Sequence, residues 1–227
     1  MPVGFFVTGT DTGIGKTTVS CALLHAFAAE GHTVVGMKPV AAGCENGIWP
    51  DVEHLQAASN IRMPQALINP YAFEEPIAPH IAAQQTGVDI NPQTIQQACQ
   101  NLMAVADVTI VEGVGGFKVP LSASDTVTRR YDTGDLASLL GLPVILVAGI
   151  RLGWLNHTLL TVQAIQSGGL TLAGWVANTM DPAILQLEAN IQTLAEWLDC
   201  PPLGVLPYQA QPDAQQLARR IDLSRLR

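Results

Sequence analysis

Short β-rich runs that are apolar on both faces recur along this chain, separated by longer stretches of helical periodicity. That alternation constrains the fold more than any other feature, because strands buried on both faces read this way in parallel sheets covered by crossover helices. The runs are VGFFVT from Val3, TVVGMK from Thr33, DVTIVE from Asp107, PVILVAG from Pro143, LTLAGWVAN from Leu170 and PLGVLP from Pro202. Between them, Lys16 to Glu30 places Val19, Leu23, Ala26 and Phe27 on one stripe and stops at Gly31. Asn91-Pro92 reads as an N-cap with an N1 proline, opening a helix to about Ala106; Leu155 to Ser167 and Ala183 to Leu198 read as two more. From Ala41 to Gly87 five prolines leave room only for short helices such as Val52 to Ala58. The fold class expected is α/β, a single domain over residues 1–227 with a mostly parallel twisted sheet and helices on both faces.

Composition narrows the function. With 48% hydrophobic and 13% charged residues the chain buries a sizeable core and is not disordered. Its 11 basic and 19 acidic side chains leave a net charge of −8, which speaks against a nucleic-acid partner. Cys21, Cys44, Cys99 and Cys200 are far apart and form no C-x-x-C pair, so neither a zinc knuckle nor a disulfide framework is indicated. The opening MPVGFFVTG has no basic leader, and the longest strongly apolar stretch, Pro143 to Ile150, is far short of a membrane span. A cytoplasmic protein without membrane partners is expected.

In an open parallel sheet, ligands bind beyond the carboxyl ends of the strands, so the residues delivered there carry the functional reading. The first strand ends in Gly9-Thr10-Asp11-Thr12-Gly13-Ile14-Gly15-Lys16-Thr17, immediately before an amphipathic helix. This is a phosphate loop, although the strict pattern wants glycine at position 10. Backbone N–H groups around Gly13, Ile14 and Gly15 cradle phosphate, Lys16 reaches the β- and γ-phosphates, and Thr17 offers its hydroxyl to Mg²⁺. The chain has only three lysines, Lys16, Lys38 and Lys118, and all fall at strand ends. Glu112 ends a buried strand ahead of Gly113, Val114 and Gly115, where it either holds Mg²⁺ or pairs a lysine. Lys118 reads better as a solvated loop residue. Asp51 starts a short helix, as a further oxygen ligand or simply as a cap. The helix opened by Gly153-Trp154-Leu155-Asn156 offers free N–H groups to a carboxylate, and His157 beside it reads equally as a packed or capping residue. Asn178 ends the fifth strand run as an amide able to read a base edge, and Leu206-Pro207-Tyr208 ends the sixth.

Taken in order from Phe5 to about Tyr208, GTDTGIGKT, MKPVAAG, VEGVGG, VPLS, PVILVAGIRLGWLNHTLLT, GWVAN and GVLP resemble the dethiobiotin synthetase family. The resemblance implies a P-loop NTPase-like fold and a homodimer that binds ATP, Mg²⁺, 7,8-diaminononanoate and CO₂ and closes a cyclic urea. It implies that Lys16 and Lys38 are catalytic, Lys38 against the carbamate and the transferring phosphate. Thr17, Asp51 and Glu112 then form the metal shell. The nucleotide site comprises Gly13, Ile14, Gly15, Lys16, Thr17, Thr18, Asp51, Glu112, Gly113, Val114 and Gly115, with Asn178, Pro207 and Tyr208 at adenine. Thr12, Lys38 and Ala42 would face the diamine, whose carboxylate would be held by Gly153, Trp154, Leu155 and Asn156 of the partner subunit. Three departures stand out: Ala42 replaces a usual Ser or Thr, Val114 replaces Ala, and Ser122 to Asp135, with Arg129 and Arg130, matches nothing in the pattern.

Rival classes are disfavoured by particular residues. Partitioning and division-site ATPases carry a signature lysine five residues before the phosphate-loop lysine, where this chain has Asp11. Amide synthases of the cobyrinate type need a glutaminase domain that 227 residues cannot hold. A small-metabolite kinase stays open as an alternative, because GKT alone does not name the acceptor, and the identity of the product separates the two. The tail from Leu217 to Arg227 keeps no clean apolar face, so a packed or frayed terminus is expected rather than a membrane helix. A strand-end lysine facing ligand contributes little to a core, so truncating Lys38 is expected to stop the reaction and spare the fold.

Overall fold

The computed structural model describes residues 3–122 and 130–226; Arg129 and the two chain ends lie outside the described residues. The strands are β1 (Val3–Gly9), β2 (Val34–Met37), β3 (Val40–Ala42), β4 (Tyr71–Phe73), β5 (Val108–Glu112), β6 (Val144–Ile150), β7 (Leu172–Thr179) and β8 (Gly204–Leu206). The helices are α1 (Lys16–Ala29), α2 (Pro50–Ala58), α3 (Gln65–Ile68), α4 (Pro79–Thr86), α5 (Pro92–Met103), α6 (Thr133–Leu140), α7 (Trp154–Ser167), α8 (Leu187–Leu198) and α9 (Ala214–Ala218).

Six strands form one sheet in the order β2-β5-β1-β6-β7-β8, and every pairing in it is parallel. All six carboxyl ends therefore lie along one edge. Side chains alternate across the pleat: Phe5, Val7, Ile145, Val147 and Val176 pack with α1 and Leu217 of α9, while Phe6 and Val144 pack with α5 and α6. Leu146, Ala148, Trp175 and Ala177 pack with α7 and α8. Helices thus cover both faces, as the doubly apolar runs require. Phe5 stacks on Phe27 of α1 at 5.9 Å between ring centroids, and each such fully buried side chain contributes about 1.5–3 kcal/mol.

Asn91 caps α5 as its sequence implies, its Oδ1 accepting from the N–H groups of Gln93 (2.9 Å) and Thr94 (3.4 Å). Asn91→Ala is expected to cost about 1 kcal/mol, read as a lower urea midpoint with an unchanged slope. The last long helix begins at Leu187, four residues after the expected Ala183. Asp181-Pro182 resembles a helix start, but Asp181 Oδ1 closes only a turn onto the Ala183 N–H (2.8 Å), and Gln186 at φ 54° breaks the helical path. Leu217, Ile221 and Leu223 are buried, so the tail is packed. No helix among the described residues is long and apolar enough to cross a membrane.

The proline-rich stretch holds a small parallel sheet, β3 with β4, that local patterning does not reveal. Its position matters for the site. The Lys38 N–H donates to the Ile68 carbonyl (2.8 Å), and buried Asn69 donates from Nδ2 to the carbonyls of Lys38 (2.6 Å) and Tyr71 (3.0 Å), pinning the backbone beyond β2.

Candidate active site

The phosphate loop leaves β1 and enters α1 through Gly15, whose φ of 84° is left-handed. A Cβ there would run into Asn178 Nδ2, which reaches from the end of β7 to donate to the Ile14 carbonyl at 2.8 Å. Backbone conformation and space both demand glycine. Gly15→Ala is expected to weaken nucleotide binding at least about tenfold by distorting the loop, with calorimetric titration of ATP as the measurement. Thr12 is exposed, and its Oγ1 lies close to Gly115, so the glycine loop after β5 packs directly on the phosphate loop.

Three elements converge beside this loop. Lys38 follows β2 and is buried; Glu112 ends β5 with no exposed surface at all; Asp51 sits in the first turn of α2, after the Trp49 N-cap and Pro50. Lys38 Nζ donates to Glu112 Oε1 at 2.6 Å and pairs with Asp51 Oδ2 at 2.7 Å. Burial alone would depress the Lys38 ammonium, but the charges of Glu112 and Asp51 outweigh it and hold its pKa above that of a free lysine. For Asp51, burial acts upward, and Lys38 followed by the Thr17 hydroxyl overcome it, holding the carboxyl below its ordinary value. Lys16 is also buried, with Nζ donating to the Asp11 carbonyl at 2.8 Å; burial, and then the charge of Lys38, lower its pKa to about 8.

Thr17 Oγ1 lies 2.8 Å from Asp51 Oδ1 and 2.9 Å from Glu112 Oε1. One hydroxyl carries one proton, so it cannot donate to both carboxylates, and Glu112 Oε2 is buried with no hydrogen-bond partner among the described residues. Such a set of hard, under-compensated oxygens fits a Mg²⁺ ion. Among the described residues no three His, Cys, Asp or Glu side chains converge to hold a metal, so phosphate and water oxygens would have to complete an octahedral shell.

Other expected residues divide. Gly13 to Thr18, Lys38, Asp51, Glu112 to Gly115 and Asn178 are gathered at the carboxyl edge. Both readings of Glu112 meet in one place, since it pairs Lys38 and faces Thr17. Trp154 is different: its side chain is buried in the core, 6.4 Å from the Trp175 ring centroid, leaving only its backbone N–H group for a ligand role. Even that group donates to the Arg151 carbonyl at 3.0 Å. Gly153 and Asn156 are exposed at the start of α7, which has no side-chain cap, and Leu155 is half-buried. His157 is exposed. Ala42 ends β3, half-buried against the core, and Val114 likewise packs against it. Pro207 and Tyr208 are exposed beyond β8. Lys118 turns away to pair with Asp132 at 3.0 Å, as a loop lysine would. Asn69 carries no functional mark in the sequence, where Asn69-Pro70 signals only a turn. A cavity of about 600 Å³ opens beside Thr17 and Thr18, between α1, α2 and the segment before α9, lined also by Cys21, His25 and His54.

Residues 3–216 match a family model described as AAA domain. A protein of Nitrosospira multiformis named ATP-dependent dethiobiotin synthetase BioD is 55% identical over 226 residues, covering 100% of this chain and 97% of the relative. One of the same name from Aromatoleum aromaticum is 52% identical over 226 residues, covering 98% of each. Among solved structures, the septum site-determining protein MinD of Pyrococcus horikoshii with Mg-ADP aligns with a TM-score of 0.54 at 16% identity, over 92% of this chain and 82% of that one. A ParA family ATPase of Chlorobium tepidum aligns at 0.53 and 13%, over 100% and 95%. At those identities the structural likeness speaks to the fold alone, a mostly parallel α/β sheet similar to that of P-loop NTPases.

Proposed function

Since this chain belongs to the ATP-dependent dethiobiotin synthetase family, we propose that the carboxyl-edge site is where it closes the ureido ring of dethiobiotin. The reaction joins 7,8-diaminononanoate and CO₂ at the expense of ATP. One amine adds to CO₂ and loses a proton, giving a carbamate. A carbamate oxygen attacks the γ-phosphorus as the bond to the ADP oxygen breaks, and the second amine then attacks the carbamoyl carbon, releasing phosphate and a cyclic urea. Each step gathers negative charge on oxygen, so positioned cations and N–H donors carry the catalysis.

The observation that carries this reading is Lys38, a buried ammonium held between Asp51 and Glu112 next to the phosphate-loop hydroxyl. Thr17, Asp51 and Glu112 would hold Mg²⁺, which when bound neutralises phosphoryl oxygens. The Lys38 ammonium, at the same carboxyl edge as the phosphate loop, would face the carbamate and the transferring phosphate. Lys16 leaves the Asp11 carbonyl for the phosphates, and the N–H groups from Gly13 to Thr18 bind them. Thr12 and the backbone around Ala42 flank the diamine, and the methyl of Ala42 leaves that contact without a hydroxyl. Asn178, Pro207 and Tyr208 border adenine. The uncapped start of α7, through Gly153, Leu155 and Asn156, receives the substrate carboxylate from the neighbouring subunit of a homodimer, with the whole chain acting as one cytoplasmic domain.

Mass spectrometry of the purified protein with ATP, Mg²⁺, bicarbonate and 7,8-diaminononanoate tests this, beside mixtures lacking one component each. Dethiobiotin forming only in the complete mixture is expected. ATP consumed with a phosphorylated product and no urea would make the protein a kinase instead. Sedimentation analysis of the same sample tests the dimer.

A further inference from the structure

The turn that opens α7 is fastened to the phosphate loop by contacts that continue the pairing of β1 with β6. The Thr10 N–H donates to the Val147 carbonyl (3.2 Å), the Gly149 N–H donates to the Thr10 hydroxyl (3.5 Å), and the Arg151 guanidinium pairs with the Asp11 carboxylate (2.5 Å). Val147 and Gly149 are alternate residues of β6 and Arg151 follows its last residue, so the ion pair lies just beyond the ladder, made by side chains where the backbones diverge.

Asp11 is engaged from three directions. Its Oδ1 accepts from the Thr12 N–H (2.8 Å), its Oδ2 holds Arg151, and its carbonyl accepts from Lys16 Nζ (2.8 Å). Arg151 in turn accepts, at its carbonyl, the Trp154 N–H that closes the first turn of α7 (3.0 Å). A continuous run of bonds, from the Thr12 N–H through Asp11 and Arg151 to Trp154, therefore joins the phosphate loop to the start of α7. Neither Asp11 nor Arg151 is needed by the core, since both side chains are about half exposed.

We propose that Asp11 and Arg151 are positioning residues that hold the phosphate loop and the α7 turn in register, and so set the affinity for the diamine; this rests on the function proposed above. An Arg–carboxylate contact of this exposure supports an effect of up to about fivefold, smaller than that of a group touching the reacting atoms. It is also open to screening by salt.

Steady-state kinetics at saturating Mg-ATP, with the diamine varied, decides the matter for Asp11→Asn, Arg151→Met, the double variant and Arg151→Lys. Each single variant is expected to raise the diamine KM about three- to fivefold with kcat within about twofold, and the double variant to be no worse than the worse single. Arg151→Lys should recover part of the loss. Added salt should raise the wild-type KM towards the variants' value while moving theirs little. Unchanged KM in the singles, a fall in kcat alone, or additive losses in the double variant would overturn the positioning role. A wild-type chain that forms no urea would overturn the functional reading, and this inference with it.

Discussion

Lys38→Met is expected to lower ring closure by about 10²–10³-fold and, at the same time, to destabilise the protein by about 3–5 kcal/mol. The loss of rate follows from removing the cation that faces developing negative charge. The loss of stability follows from Glu112, which has no exposed surface and would keep a buried carboxylate with no ion partner. From the sequence alone Lys38 looks like a ligand-facing residue whose removal spares the fold; its burial between two carboxylates makes it structural as well. The double variant Lys38→Met with Glu112→Gln separates the roles. It should regain most of the stability in urea melts, because no unpaired charge remains, yet stay inactive. Turnover in the double variant would remove Lys38 from the mechanism, and a fully stable single variant would remove the burial argument. The pairing has a signature at low pH as well. Because Asp51 is held below its ordinary value, its contribution is present above about 3.8 and lost as pH falls through the lower folded value, so Asp51→Asn should flatten the acid side of the stability profile.

Thr17→Val is expected to keep the fold and to lower kcat/KM for Mg-ATP by about 100-fold or more. The substitution preserves shape at a half-buried position and removes one oxygen from a three-oxygen set. Raising the Mg²⁺ concentration should recover part of the rate, because the two carboxylates remain. Direct titration of Mg-ADP should show the weaker affinity without any turnover. An unchanged Mg²⁺ dependence would mean that Thr17 serves only as a hydrogen-bond donor to Asp51 or Glu112.

The parts of the fold that were legible in the sequence are those with strong periodic or compositional marks. Six strand runs read correctly because a strand buried on both faces needs an unbroken apolar run, and the helix at Asn91-Pro92 was announced by its cap. β3 and β4 span three residues each and pair across intervening prolines, so no local pattern marks them. The helix α6 is unmarked in the sequence for a related reason. Its capping box joins Asp132 to Asp135 rather than to the usual Glu or Gln, and Gly134 weakens its first turn. At the site, residue types at strand ends and in the phosphate loop named Lys16, Thr17, Lys38 and Glu112, and the start of a short helix offered Asp51. What no spacing could supply was the distance between them: that Lys38 bridges Asp51 and Glu112, or that Trp154 points into the core, depends on contacts between residues far apart in the chain. Asn69 and Arg151 belong to the same class, since their importance lies in the partners that the fold delivers.

The strand order also governs how this protein comes into being on the ribosome. In the sheet, β5 lies between β1 and β2, so the two strands made first share no edge with each other. They can be joined only after Val108–Glu112 has been synthesised, a delay of roughly 4–14 s at ~5–20 residues per second. Throughout that interval the nascent chain carries two apolar strands with unpaired edges, alongside the apolar flank of α1. Slow translation between residues 38 and 107 therefore lengthens the window for misassembly, whereas a pause placed once Val108–Glu112 has emerged from the ribosome falls on a chain that can already assemble the β2-β5-β1 half of its sheet.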